Sequence, residues 1–489
     1  MDQFIKAVKD VNSALNSFVW GPIMLVFFLA VGLLFTIGSG VFQVTRVKSW
    51  MQATFLSIFK HKHVRKTKEK HAISQFQSLC TALAATVGTG NIVGVATAIA
   101  LGGPGAVFWM WLSAFLGMMT NFAENTLGIK YRYKNEKGEW VGGAMIYIER
   151  GLGSVFKESR FKFFRNAKFL HNWKWLAIVF SVFCALASFG IGNMSQANSI
   201  AAGLESNFSI PLWVTGLLVL VFVALVILGG IKRIASVAEK IVPFMVLLYL
   251  AGGLVVVFAH IGNVGSAFSL IFTEAFNFQA GASGVLGYGI AQAAKRGISR
   301  GVFSNEAGLG SSVMVHSASD VKEPVTQGMW GIFEVFADTI IVCTITALSI
   351  LASGVYNMNT ALEHIAAGKD PVQGAELTSS AFATIFGPIG GQFVAIAIML
   401  FAFTTILGWS FYGERAITYL FGRKAVVPYK VIFVGFIMIG CTIPLKLVWD
   451  ISDTLNGFMS IPNLFAITLM SGQVFAMIRG FKDKQKIKA

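Results

Sequence analysis

From Ala72 to Ala123 the chain runs 52 residues without an Asp, Glu, Lys or Arg. A bilayer core takes about 20 apolar residues per helix, so this stretch holds two membrane spans joined by a turn at Gly102-Gly103-Pro104-Gly105. The first span is not expected to be one regular helix. Its middle reads Ala84-Ala85-Thr86-Val87-Gly88-Thr89-Gly90-Asn91. Two glycines around a threonine, followed by Asn, cost roughly 2 kcal/mol or more of helix propensity at a depth where no water repairs the backbone. Such a break persists only where it is buried in protein or lines a cavity, and there its freed carbonyls and N–H groups can hold an ion and an anionic group. Close packing of helices on the glycines is the competing reading.

The rest of the composition agrees with a bilayer. The 489 residues are 55% hydrophobic and 13% charged, about half the charged share of a soluble chain. Charge-poor runs give eleven helices, at 18–44, 75–100, 104–130, 174–204, 210–230, 239–260, 264–294, 325–353, 382–412, 428–446 and 454–478. The expected class is an all-α polytopic membrane protein. A net charge of +16 would suit nucleic acid, but its distribution argues against that partner. With the N-terminus outside and the C-terminus cytoplasmic, only Lys6, Lys9, Lys369 and Lys446 of the 39 Lys and Arg fall outside. The excess charge then meets the anionic inner leaflet of a plasma (inner) membrane.

Several other classes are disfavoured. The first apolar run, near Phe18, is long enough to span and has no small-residue cleavage site behind it, unlike a signal peptide. Cys80, Cys184, Cys343 and Cys441 are isolated in apolar segments, which indicates neither a disulfide framework nor a zinc site. His61 and His63 lie among Lys62, Arg65 and Lys66, a basic membrane flank rather than a metal pair.

Setting the first helix aside leaves ten, which divide into two halves of five. The boundaries are 1–74 for the extra N-terminal helix and a basic loop, 75–263 for the first half, 264–478 for the second and 479–489 for a basic tail. An odd number of helices per half inverts the second relative to the first. Each half opens on a Gly-rich helix, with Gly88 and Gly90 in one and Gly281, Gly284, Gly287 and Gly289 in the other. Interrupted segments in matching positions of inverted halves point to a secondary transporter's site. The 142–148 piece is expected to lie on the membrane surface, and 354–381 forms an outer loop with helical periodicity at 361–367.

The run Gly102-Gly103-Pro104-Gly105-Ala106-Val107-Phe108-Trp109-Met110-Trp111-Leu112-Ser113-Ala114-Phe115-Leu116-Gly117 resembles the signature of the alanine/glycine:cation symporter family, also called sodium:alanine symporters. Val87–Asn91, Arg300–Gly308 and Leu407–Arg415 match it too. The resemblance covers nearly the whole chain. It implies a leucine-transporter-like inverted five-helix repeat plus one extra N-terminal helix, and sodium- or proton-coupled uptake of alanine or glycine, with no covalent chemistry. It also implies a sodium site made by the carbonyls of Ala84, Val87 and Phe401 and the hydroxyls of Thr404 and Thr405. Intrahelical bonding of those hydroxyls is the alternative.

For the solute, the half-helix beginning near Gly90 presents its positive end, so Thr89, Gly90 and Asn91 are placed on a carboxylate. Asn91 can instead give its oxygen to a second cation. Gln196 stands on a small, polar helix face with Ser188, Gly192 and Ser199, and Asn193 on the adjoining face is the runner-up. Trp409 follows Thr405 by four residues and, with Phe276, is expected to close the side-chain end of the pocket, leaving room for a hydrogen or a methyl. Glu334 and Asp338, at i and i+4 in an apolar span, and Glu124 are costly acids that mark an ion path or a paired network. Glu306 and Glu414 are expected nearer the inner surface, paired with Arg300 or Arg415. The rivals are glutamine or serine as solute, protons as coupling ion, or a channel. An enzyme lacks a nucleophile–base pair.

Overall fold

A computed structural model describes residues 2–158, 162–276, 289–367, 369, 371–443 and 446–488. The chain is almost wholly helical, with one short antiparallel hairpin at Tyr133–Lys134 and Trp140–Val141. Seven helices among the described residues are long and apolar enough to cross a membrane, and two more candidate spans are bent pairs. Apolar side chains such as Ile23, Phe222, Leu247 and Val431 face outward, while Asn, Ser, Thr and four acids are buried. This inside-out polarity fits a lipid solvent, in which backbone and polar groups must find partners internally.

The helices that frame the interior begin with α1 (Asp2–Val19) and α2 (Pro22–Gly38), which form one span from Lys6, earlier than the expected 18–44. Then come α3 (Gln75–Thr86) and α4 (Val95–Gly102), bent by 50° across the Gly88–Gly90 break. Ser74 starts α3 with a capping box, accepting from Gln77 N while Gln77 Oε1 accepts from Ser74 N. Next are α5 (Ala106–Tyr131), α6 (Ala144–Lys157), α7 (Lys174–Phe189), α8 (Ser195–Phe208), α9 (Leu212–Ile227) and α10 (Gly230–Ala259). The chain continues through α11 (Ile261–Ala275), α12 (Ile290–Asn305), α13 (Val313–His316), α14 (Pro324–Val335), α15 (Thr344–Ala352), α16 (Met358–Ala366) and α17 (Gly374–Phe386). It ends with α18 (Pro388–Phe421), α19 (Val426–Thr442), α20 (Lys446–Leu469) and α21 (Ser471–Lys488).

Five expectations change. The expected span 264–294 is not one helix. Phe268 and Phe272 of α11 pack on Trp111 and Phe108, near the start of α5. The chain resumes as α12, and Lys295, Arg296 and Arg300 on it lie toward the α4–α5 turn, away from the basic loops: a Cβ on Gly102 at that turn would stand 2.8 Å from the Arg296 Cβ. Gly281, Gly284 and Gly287 lie outside the described residues. The second break falls later, at Glu306–Ser312, where Glu306, Gly308 and Gly310 all have positive φ. The span at 382–412 begins instead at Pro388, after a turn at Gly387 with φ +57°. The last span bends by 57° at Met470, and α21 packs on the chain after α2, with Lys482 Nζ donating to Ser39 O. Residues 144–148 are buried against the interior rather than spread on a surface.

Candidate functional site

Among the described residues, three long helices carry a widened turn with i→i+5 hydrogen bonds in mid-span: Gly90–Gly94, Gly190–Met194 and Phe336–Cys343. Such turns shift the register of the ladder and occur often at functional sites. The first two, with the Glu306 break, α18 and α20, surround a chamber lined by Ala85, Thr86, Gly88, Thr89, Gly90, Ile191, Gln196, Phe303, Glu306, Thr405, Trp409 and Asn456. Its free space is about 10 Å³, roughly one water molecule. A solute larger than water therefore enters only as the walls move. A second cavity of about 610 Å³ lies at the end of the bundle with the basic loops, bordered by Lys70, Lys137, Lys232, Glu414, Arg415 and Arg423. Both cavities lie along α18.

The chamber is polar and under-satisfied. Thr89 Oγ1, Gln196 Oε1 and both amide atoms of Asn456 are buried without a hydrogen-bond partner. Gln196 is held by its other end, Nε2 donating to Ile191 O at 3.0 Å. Leaving such groups unpaired costs about 1–3 kcal/mol each, which a bound polar solute would recover. Trp409 lies flat on α7–α8 because residue 192 is Gly: a Cβ there would stand 2.4 Å from the Trp409 Cβ. Phe303 forms the opposite apolar wall.

Beside the chamber, Thr405 Oγ1 donates to Ala84 O at 3.1 Å and to Phe401 O at 3.0 Å, and Thr404 Oγ1 to Phe401 O at 2.9 Å. A Cβ on Gly88 would stand 2.5 Å from Thr405 Oγ1, so that glycine lets the broken helix touch α18. Val87 ends α3 with ψ 81°, which turns its carbonyl out of the helical direction. Oxygens of Ala84, Phe401, Thr404 and Thr405 thus meet through the shared Phe401 carbonyl and the Thr405 hydroxyl.

The other expected residues divide. Thr89, Gly90, Gln196 and Trp409 line the chamber. Asn91 does not: its Oδ1 accepts from Gly88 N at 2.9 Å, and its Nδ2 donates to Asp338 Oδ1 at 2.7 Å. Asn193 points at α19, donating to Phe433 O. Phe276 stands apart, half exposed, with its ring 4.9 Å from that of Phe108. Glu306 was expected near the inner surface beside Arg300 or Arg415. Instead it is buried at the chamber wall, Arg300 pairs with Asp453 and Glu414 with Lys430. Sequence reasoning also passed over Phe303 and Asn456. Phe303 and Glu306 lie within the Arg300–Gly308 run that carried the family resemblance, which was the available signal.

Four buried acids encircle the second break. Asp338 accepts from Asn91, from Ser304 Oγ at 2.9 Å and from Thr339 Oγ1 at 2.7 Å. Glu334 Oε2 lies 2.8 Å from His316 Nε2 and accepts from Asn121 Nδ2 at 3.1 Å. Glu124 is bonded by Asn463, which also donates to Gly308 O at 2.9 Å. Glu306 accepts from Ser311 Oγ. Among the described residues, His316 is the only basic side chain in ion-pair range of any of the four. At the basic end, outside the membrane spans, Arg132 donates to the carbonyls of Ser317, Ser319 and Val321, and burial pulls its guanidinium down to about 10.

Comparisons with known proteins agree across the chain. The sodium:alanine symporter family matches residues 5–489. The sodium/alanine symporter AgcS of Methanococcus maripaludis is 43% identical over 487 residues, 99% of each chain. The probable sodium/glutamine symporter GlnT of Bacillus subtilis is 34% identical, over 96% of this chain and 90% of its own. The structure of MhsT in complex with L-phenylalanine superposes with a TM-score of 0.52 at 16% identity, covering 82% of this chain and 89% of that one. That likeness establishes the leucine-transporter-like fold.

Proposed function

The chain belongs to the sodium:alanine symporter family, and from that premise we propose that it carries alanine or glycine across a membrane together with sodium, by alternating access. It is a multi-pass membrane transporter and not an enzyme. The observation that carries the reading is the meeting of Thr405 with the Ala84 carbonyl just before the break, with Thr404 beside it on the shared Phe401 carbonyl, one turn of α18 from Trp409. Sodium takes hard oxygens, and the carbonyls of Ala84, Val87 and Phe401 with the two hydroxyls supply them. Thr89 and Gly90 hold the solute's carboxylate at the positive end of the widened turn. Gln196 Oε1 supplies an acceptor, and Trp409 with Phe303 limits the side chain to a methyl.

Transport follows from the two cavities. Closing the walls around the solute strengthens its contacts in a dry site, and opening toward the 610 Å³ cavity releases it at the basic end, which we read as cytoplasmic. The test is purified protein in liposomes, given labelled alanine, glycine or glutamine and a sodium, potassium or proton gradient in turn. Sodium-driven, saturable alanine and glycine uptake is expected. Glutamine preference, proton coupling or non-saturating conductance would each reject it.

A further inference from the structure

Glu306 is buried, at 2% exposure, in the wall of the chamber. It follows directly on α12 with φ +57°, a left-handed backbone that costs a non-glycine residue about 1 kcal/mol or more. The chain holds a carboxylate in that conformation although glycines stand two and four residues later. Its neighbours there are neutral: Ser311 Oγ donates to it, and the Trp409 indole lines the same chamber. Among the described residues, no Lys, Arg or His lies in ion-pair range of it, and its nearest charged influences are Glu334 and Asp338. A buried carboxylate among neutral donors and other acids lacks a cation.

The chamber is therefore bipolar. One wall is the positive end of the Gly90–Gly94 turn, the other the Glu306 carboxylate, with the unpartnered Asn456 amide beside them. A solute that carries a carboxylate and an ammonium on one carbon matches these two groups within one small chamber.

We propose that Glu306 is the residue that binds the substrate's ammonium group and restricts the site to small α-amino acid zwitterions. This rests on the reading that the chamber holds an amino acid, and it adds the group that rejects carboxylic acids of the same size. Removing one member of a buried, hydrogen-bonded charge pair weakens binding strongly, so alanine affinity should fall about 100-fold.

The experiment measures displacement of labelled alanine by alanine and by propionate, in sodium, on full-length wild type, Glu306→Gln and Glu306→Asp in lipid nanodiscs. Sodium binding without amino acid, measured with radioactive sodium, reports folding and the ion site. Wild type should bind alanine and ignore propionate. Glu306→Gln should lose alanine about 100-fold, gain nothing for propionate and keep its half-saturating sodium, so the preference collapses. Glu306→Asp keeps the charge and should keep the preference at reduced affinity. An unchanged alanine-to-propionate ratio in Glu306→Gln overturns the proposal, as does a shift in half-saturating sodium that leaves the ratio intact. If Glu306→Gln does not fold, Glu306→Asp decides: sodium binding with no preference for alanine overturns the assignment. Failure of wild type to bind alanine would strike the functional reading itself.

Discussion

Arg300 of α12 and Asp453 of α20 form an ion pair at 3.8 Å, three residues before Phe303 and Asn456 on their respective helices. Those two later residues line the chamber, so the pair stands about one turn, or about 4.5 Å, further from the basic end. Both side chains are about one-fifth exposed. The Arg300 guanidinium also lies 5.3 Å from the Phe303 ring. This places a bridge between α12 and α20 one turn beyond the chamber lining.

Breaking that bridge should loosen the outer cover without destroying the site. Partly exposed pairs contribute about 1 kcal/mol or less. Arg300→Ala and Asp453→Ala are each expected to speed alanine release about three- to fivefold. The double variant should be no faster than either single one, because both remove the same contact. Release rates from sodium-loaded protein check this, and strictly additive effects would show that the two residues act separately.

Thr404 and Thr405 offer the most direct test of the ion site. Each hydroxyl already bonds Phe401 O, and Thr405 also reaches Ala84 O on the other helix. Changing both to Ala removes two oxygens while leaving the helix ladder intact. Half-saturating sodium should rise at least tenfold, or sodium dependence vanish. Uptake that depends on sodium as before would leave these hydroxyls with the intrahelical role common to Ser and Thr.

Trp409 and Gly192 are expected to behave oppositely. Trp409→Ala enlarges a chamber of about 10 Å³ and should admit amino acids with three- or four-carbon side chains. Gly192→Ala pushes a methyl to within 2.4 Å of the Trp409 Cβ, so the indole must shift and alanine uptake should fall tenfold or more. Competition by valine and leucine measures the first, and initial uptake rates the second. Unchanged selectivity in Trp409→Ala would reject its role in setting size.

The first broken helix was legible because Gly88, Thr89 and Gly90 interrupt a charge-free apolar run. The second was not. Its break, Glu306–Ser312, is polar and follows Lys295, Arg296 and Arg300, so charge counting assigned it to an inner loop. The cost of burying those charges is met by tertiary partners, such as Asp453 for Arg300, that no local window contains. The same limit applies to Phe276 and Phe303. Both are aromatic residues on the second half, and only the fold places Phe303, not Phe276, at the chamber. Thr405 and Trp409 were readable because i and i+4 on one helix share a face wherever the helix goes.

Asp338 ties the two broken helices together, since its carboxylate accepts from Asn91 beside the first break and from Ser304 just before the second. Asp338→Asn keeps one acceptor oxygen and replaces the other with a donor. Ser304 and Thr339 can rotate their hydroxyls to accept from it, whereas Asn91 Nδ2 cannot. The variant should therefore fold if its amide oxygen faces Asn91, at a cost of about 1–3 kcal/mol. What it loses is a negative charge between the two moving halves. If that charge accompanies a cation or proton through the cycle, the variant should move a different net charge per alanine, or shift its pH profile, at near-normal alanine affinity. Reversal potentials in proteoliposomes at two sodium ratios measure the charge directly. Wild-type charge movement and an unaltered pH profile would reduce Asp338 to the structural tie between Asn91 and Ser304.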